Sequence, residues 1–326
     1  MKKNMFKSIC LVLTLCVAGS FLSASTTAPT ITFSSNYTDK GLEDFGAVYY
    51  HDGVVMSFAE GKALATKIFN HCGVAGDFVL DSGMSTSDNL VYTKTGDETG
   101  ICMVNLTTGE VAFSAGMMDL DGEMDTPDLV DPGDAKMFCD NHLNALGMYP
   151  AGGMFELDVS TFTMKALDTG VEKEYNKMIT IMNGRKLMNI PVIGNSRVNM
   201  GLGSNGDMKF LMWNWMGVNA VSVSAGDFLD HYLIRNRIET QLTQFFVDAT
   251  EVIVHENYLT YYDDGVGIIE PAYIMRIEVV SPDGDHKEAD WVTSVMLNST
   301  AAFAHLEMAS TTPVDNGPAS TDTDDE

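Results

Sequence analysis

The chain has 326 residues, 45 of them acidic and 19 basic, and the net charge of −26 makes nucleic acid and anionic membranes poor partners. With 45% hydrophobic residues and 9% aromatics there is ample material for a buried core, which excludes a disordered acidic protein. The length exceeds what one small core holds and points to two or three modules.

In chain order, Lys2, Lys3 and Lys7 precede an apolar stretch from Ile9 to Leu22, followed by the small residues Ser23, Ala24 and Ser25. That is the order of a cleavable secretory signal peptide. The run is interrupted by Gly19 and Ser20 and is shorter than the roughly 20 residues that span a bilayer. Leu15 before Cys16 does not suit a lipoprotein cleavage site. The expectation is a protein secreted or held at the periplasmic or cell-envelope exterior, without membrane insertion after cleavage. Loss of the three lysines takes its charge from −26 to about −29.

Three helix starts follow, each a capping residue with an acidic residue three positions on and an amphipathic run behind it. The first is Ser57 with Glu60, then Ala63, Leu64, Ile68 and Phe69, stopped by Gly73. The second is Asp131 with Pro132 and Asp134, then Phe138, Cys139, His142 and Leu146, stopped by Gly147. The third is Ser224 with Asp227, then Phe228, Tyr232, Ile238 and Leu242. After each, the apolar period switches to two with turn signals between runs. Val104 to Leu106 meets Val111 to Phe113 across Thr107-Thr108-Gly109. Val198, Met200 and Leu202 face Met208, Phe210 and Met212 across Ser204-Asn205-Gly206-Asp207, with Asn-Gly set for a type I′ turn. Tyr273 to Val280 returns through Ser281-Pro282-Asp283-Gly284 toward Trp291 to Leu297.

The fold class read from this is α+β, as tandem modules each with one helix packed on an antiparallel sheet, and no βαβ alternation suggests parallel strands. The expected units are a signal peptide (1–25), an N-terminal module (26–130), a second (131–221), a third (222–308) and a disordered acidic tail (309–326). That tail is mostly Ser, Thr, Pro, Gly and Asp and has no aromatic residue.

Few residues point to chemistry. Asp119, Asp121, Glu123 and Asp125, with Asp128 and Asp131 beyond, offer the oxygen ligands Ca²⁺ prefers. They lack EF-hand order, and a solvated linker running into a helix N-terminus explains them equally well. No other cofactor is implied. Gly201, Gly203 and Gly206 lie between antiparallel strands and not before a helix, so they are hairpin glycines and not a dinucleotide fingerprint. His255-Glu256-Asn257-Tyr258-Leu259 has leucine at the second ligand position of a zinc-protease motif and lies in a strand-like run. The 22 methionines read as core filling, and the seven histidines as scattered. Cys72, Cys102 and Cys139 are odd in number and widely spaced, which allows one disulfide at most or three buried thiols. No catalytic residue is singled out.

The run Asn189-Ile190-Pro191-Val192-Ile193-Gly194, then Val198 to Leu202, Ser204 to Asp207 and Met208 to Trp213, resembles the PepSY and fungalysin/thermolysin-propeptide group. In that group a Gly-hydrophobic-Pro-Val-x-Gly stretch leads into a hairpin closed by an Asp-Gly or Asn-Gly turn; Asn189 stands here where glycine is usual. A companion pattern runs from Val252 to Tyr262 and through Ile269-Glu270-Pro271-Ala272-Tyr273. The resemblance covers roughly Asp131 to Leu297 and implies a cystatin-like helix-on-sheet domain that acts by binding, without an attached protease domain. The expected function is a non-catalytic exported module that binds, and restrains or regulates, an extracytoplasmic protein or peptide, a hydrolase among the candidates. Its partner surface is placed at Ile190, Pro191, Val192, Trp213 and Trp215, beside a sheet edge or groove that takes a partner strand. Two alternatives are a secreted hydrolase of polysaccharide or peptide built from scattered carboxylates, and a surface adhesion or structural module.

Overall fold

The computed structural model of the chain describes residues 28–53, 55–74, 77–95, 97–115, 128–150, 152–168, 171–265, 267–299 and 304–307. The residues read as a signal peptide (1–25), the calcium candidates from Asp119 to Asp125 and the segment read as a disordered tail (309–326) lie outside them. Among the described residues the protein is mostly β, with three α-helices and two large sheets.

Helix α1 (Phe58–His71) starts as its sequence dictates: Ser57 Oγ accepts the Glu60 N–H at 3.3 Å and Glu60 Oε2 accepts the Ser57 N–H at 2.7 Å. It buries Gly61, Ala65, Ile68 and Phe69. Gly61 lets the helix approach closely, since a β-carbon there would meet Leu106 at 2.7 Å. Helix α2 (Ala135–Leu146) follows a single 3₁₀ turn, Pro132–Asp134, capped by Asp131, and ends at Gly147 with φ 64°. The third start is a correction. Ser224 and Asp227 do form a capping box, but it heads only the 3₁₀ turn Ala225–Asp227. Phe228 is then drawn into an extended bridge with Met296, and helix α3 (His231–Phe245) begins afresh with Asp230 capping Leu233 N–H at 2.8 Å.

The first sheet has eight strands: β3 (Phe78–Leu80), β4 (Asn89–Lys94), β5 (Asp97–Asn105), β6 (Val111–Ala115), β7 (Phe155–Asp168), β8 (Val171–Gly184), β11 (Arg197–Leu202) and β12 (Met208–Asn214). Their order is β3-β4-β5-β6-β12-β11-β8-β7. The expected α+β arrangement of tandem modules, each with one helix on its own sheet, is thereby overturned. Strands β6 and β12 pair antiparallel, Val111 opposite Trp213, so the strands that follow α1 and those that follow α2 form one continuous sheet with no edge between them. Both helices pack on it around one core that includes Phe69, Cys102, Val104, Leu143, Ile181, Met200 and Leu211.

The second sheet gathers nine strands from along the chain: β1 (Thr30–Phe33), β2 (Ala47–Asp52), β9 (Lys186–Leu187), β10 (Ile190–Gly194), β13 (Gly217–Ser222), β14 (Glu251–Asp263), β15 (Ile268–Val280), β16 (His286–Ser294) and β17 (Ala304–Glu307). The antiparallel pair β14–β15 is its spine. Against expectation, β1 and β10 both run parallel to β14, because strands far apart in sequence fill successive stretches of one long edge. Helix α3 covers this sheet through Ile234, Ile238 and Leu242, packed with Tyr261, Tyr273 and Trp291.

The Asn205-Gly206 turn forms with φ of 56° and 80°. The register of its hairpin differs from the simple alternation. A bulge between Gly201 and Leu202 places Trp213 opposite Val198 and Leu211 opposite Met200, so Met212 faces out, 43% exposed. Asn189 holds φ 67° in the turn from β9 to β10, a left-handed conformation in which asparagine serves nearly as well as glycine. Gly194 is tighter: at φ 100° a β-carbon would sit 2.2 Å from the Asp263 carbonyl oxygen. Gly194→Ala is expected to cost about 2–4 kcal/mol in urea unfolding, and a loss under about 0.5 kcal/mol would contradict this close packing of β10 on β14.

Candidate functional site

The chain passes between the two sheets at three places in its middle third: from β8 to β9 through Arg185, from β10 to β11 through Asn195 and Ser196, and from β12 to β13 through Trp215 and Met216. These residues meet the end of β14 in a buried polar node. Asp263, 2% exposed, accepts hydrogen bonds from Ser196 Oγ and from the Gly265 N–H at 2.9 Å. His51 Nε2 of β2 lies 3.0 Å from Asp263 Oδ1, close enough for an ion pair although the ring is not angled for a linear hydrogen bond. Burial alone would push the Asp263 carboxyl up; the His51 and Ser196 contacts, the Gly265 N–H and the charge of His51 outweigh it and hold the group below its usual range. Serine, histidine and aspartate thus come together, but with the carboxylate between the other two. Ser196 donates to Asp263 and not to the imidazole, so the histidine is not placed to activate the hydroxyl.

Arg185 enters the same node and is 5% exposed. One guanidinium nitrogen, Nη2, donates to the Met216 carbonyl, and the group stacks 4.6 Å over the Trp215 ring. Nη1 is buried without a hydrogen-bond partner among the described residues. Burial pushes the Arg185 pKa down to about 10 against the opposing pull of Asp263, so it stays a cation at neutral pH. On its outer side lies a cleft of about 490 Å³ between the α2 C-terminal loop and the crossings. Its wall includes Tyr149, Arg185, Lys186, Trp213, Trp215 and Val218, two cations with aromatic rings and no carboxylate. The cleft opens at the start of β13, which pairs only with β2 among the described residues and is exposed from Asn219 to Ser222.

Of the expected partner-binding residues, Trp213 and Trp215 come together at the cleft, ring centroids 6.1 Å apart. Trp213 is 9% exposed and packs into the first core. Ile190 and Pro191 pair with β9 next to the cleft residues Lys186 and Leu187, while Val192 is buried against the second core. The calcium candidates Asp119, Asp121, Glu123 and Asp125 fall outside the described residues. Cys72, Cys102 and Cys139 are free thiols, and burial pushes all three up to about 12. His255 lies in β14 and pairs with Glu278 at 2.8 Å. Sequence reasoning did not find Arg185, His51, Ser196 or Asp263. The Gly194-Asn195-Ser196 and Asp263-Asp264-Gly265 strings mark turns, yet nothing local says that they meet.

No family model matches the sequence, and no curated protein matches it. Solved structures similar to it include an uncharacterized protein from Eubacterium rectale, at TM-score 0.49 and 10% identity over 81% of this chain and 86% of that one. Another is the C-terminal domain of YpeB from Bacillus megaterium, at TM-score 0.37 and 10% identity over 78% of this chain and all of that one. Neither likeness carries an argument about function at that identity and score.

The depressed pKa of Asp263 makes stability depend on acid. Its contribution is fully present above the unfolded carboxyl value of about 4 and is lost as pH falls through the lower folded value. Asp263→Asn is therefore expected to lower the urea midpoint at pH 7 and to flatten its fall below pH 4, so that the two curves converge in acid. Parallel curves would show that the ionised carboxylate does not hold the node.

Proposed function

We propose that this chain is an exported, non-catalytic binding protein that takes up an extended segment of a partner protein or peptide and thereby restrains or regulates it, an extracytoplasmic hydrolase being the partner class expected. The observation that carries the reading is the aromatic cleft with two cations, opening directly onto an edge strand. Strand β13 supplies the backbone template. The Val223 N–H donates to the Gly46 carbonyl, so by ladder alternation Gly217, Asn219 and Val221 face β2, while Val218, Ala220 and Ser222 direct their backbone groups outward. An added strand would pair with those outward groups.

At its end the segment reaches Trp215 and Trp213, which supply apolar area at low entropic cost, and the wall of Arg185 and Lys186. A carboxylate brought there would balance a guanidinium whose charge Asp263 offsets only from a distance. In a protein of net charge −26 this positive pocket is a local exception, which favours an acidic side chain or chain terminus on the partner. The PepSY/propeptide-like reading of residues 131–308 belongs to the same proposal. It rests on the Pro191-Val192-x-Gly194 stretch and the Asn205-Gly206 hairpin, which lead the chain through the junction beside the cleft. Export rests on the N-terminal lysines, apolar run and small residues.

The test is retention of partner from the secreted and envelope fraction of the source on immobilised residues 26–308, with hydrolase activity assayed before and after. Ala220→Pro removes an outward N–H without touching the ladder to β2, and Lys186→Glu reverses an exposed charge at the cleft. Each is expected to reduce retention tenfold or more with unchanged circular dichroism. A partner held equally by wild type and both variants would place binding elsewhere on the molecule, and glycan or peptide cleavage by the chain alone would refute a non-catalytic role.

A further inference from the structure

His71 at the end of α1 and His142 in α2 bring their rings together, with His71 Nε2 2.8 Å from His142 Nδ1 and the ring planes at 83°. The second nitrogen of His142, Nε2, lies 2.8 Å from the Gly206 carbonyl oxygen. A carbonyl only accepts, so Nε2 carries the proton and Nδ1 presents its lone pair to His71. Gly206 is itself fixed: it holds φ 80° in the Asn-Gly turn, and the Phe138 ring fills the place of its missing β-carbon. A backbone carbonyl that sets the tautomer and angle of an imidazole is the arrangement found behind metal-ligating histidines.

The geometry points to a two-imidazole site for a borderline divalent transition-metal cation, of the Zn²⁺, Ni²⁺ or Cu²⁺ class, held between His142 Nδ1 and His71 Nε2. Nitrogen ligands at about 2.0–2.1 Å and tetrahedral or octahedral angles stand about 3.0–3.4 Å apart, so the nitrogens need open by a few tenths of an ångström and the rings turn until both lone pairs aim at the cation instead of along the N···N line. His71 is exposed on the last turn of its helix and has room to do so. Binding moves the His71 ring proton to Nδ1 and leaves both inner nitrogens free to ligate.

The surroundings fit a nitrogen donor set. Lys67 donates to the Leu146 carbonyl at 2.7 Å, tying α1 to the end of α2. Among the described residues no group of three or more His, Cys, Asp or Glu converges, so the remaining coordination positions fall to water or to a donor from a bound partner. Calcium and magnesium, which take oxygen ligands, are excluded by the same chemistry.

Two measurements on residues 26–308 test this. Titration with ZnCl₂ in calorimetry, in the presence of millimolar CaCl₂ to occupy carboxylates, is expected to give one site that His71→Asn weakens tenfold or more. Cu²⁺ bound at one equivalent is expected to show hyperfine coupling to two imidazole nitrogens in electron paramagnetic resonance. His71→Asn alters an exposed helix end, so it keeps the test open if a His142 variant misfolds. Zinc affinity unchanged in His71→Asn, zinc displaced by calcium, or a copper spectrum with only oxygen ligands would each overturn the site and leave the pair as a neutral hydrogen bond between helices.

Discussion

The architecture depends on one buried carboxylate. Asp263 ends the longest strand pair of the second sheet, yet its partners Ser196 and His51 come from a crossing into the first sheet and from a strand more than two hundred residues earlier. A carboxylate at 2% exposure is tolerable only with its lone pairs occupied, and here, beside the local Gly265 N–H, the side chains around it come from two other parts of the fold. The node therefore specifies which ends of the two sheets meet. Apolar packing holds each sheet to its helices and is nearly indifferent to slight rotation. A charge with fixed partners is not.

Arg185 extends this constraint toward function. Its guanidinium is held by a carbonyl and a tryptophan face, with one nitrogen left without a partner. Removing a cation from water costs several kcal/mol, and the distant Asp263 charge returns only part of that. A scaffold with no use for the charge would gain by replacing it with an apolar side chain. Its position beside two tryptophans and an exposed strand edge is what gives the binding proposal a physical basis.

What the sequence makes legible divides by distance. The caps at Ser57 and Asp131, the stop at Gly147, the Asn205-Gly206 turn and the return from Tyr273–Val280 through Ser281-Pro282-Asp283-Gly284 toward Trp291 are settled within a few residues and read correctly. Misreadings arise where a distant contact wins. Phe228 leaves the helix its capping box announces because it bridges to Met296, and the bulge at Gly201 reverses the faces of Phe210 and Met212. The joining of β6 to β12 and the parallel insertion of β10 beside β14 are pairings across about a hundred and about seventy residues, and periodicity within a strand says nothing about its neighbour. Arg185, Asp263, His51 and the two helix-end histidines were invisible for the same reason. Each is unremarkable alone, and its chemistry is created by whichever residue the topology sets against it.

The same topology also bears on the two proposed binding features. The cleft lies where strands cross between sheets, walled by the crossing residues Arg185, Trp215 and Met216 and by the loop after α2. The histidine pair instead joins α1 to α2 over a single uninterrupted sheet, so a cation there would brace helices that share one rigid base. Occupying it would stabilise the first core without altering the angle between the sheets. Uptake of a segment along β13 would do the reverse, adding to the second sheet while touching the first only through Trp213 and the loop after α2. Two links connect these sites: α2, which carries His142 and ends in the loop that walls the cleft, and the turn at Gly206, whose carbonyl orients His142 and whose hairpin runs into Trp213.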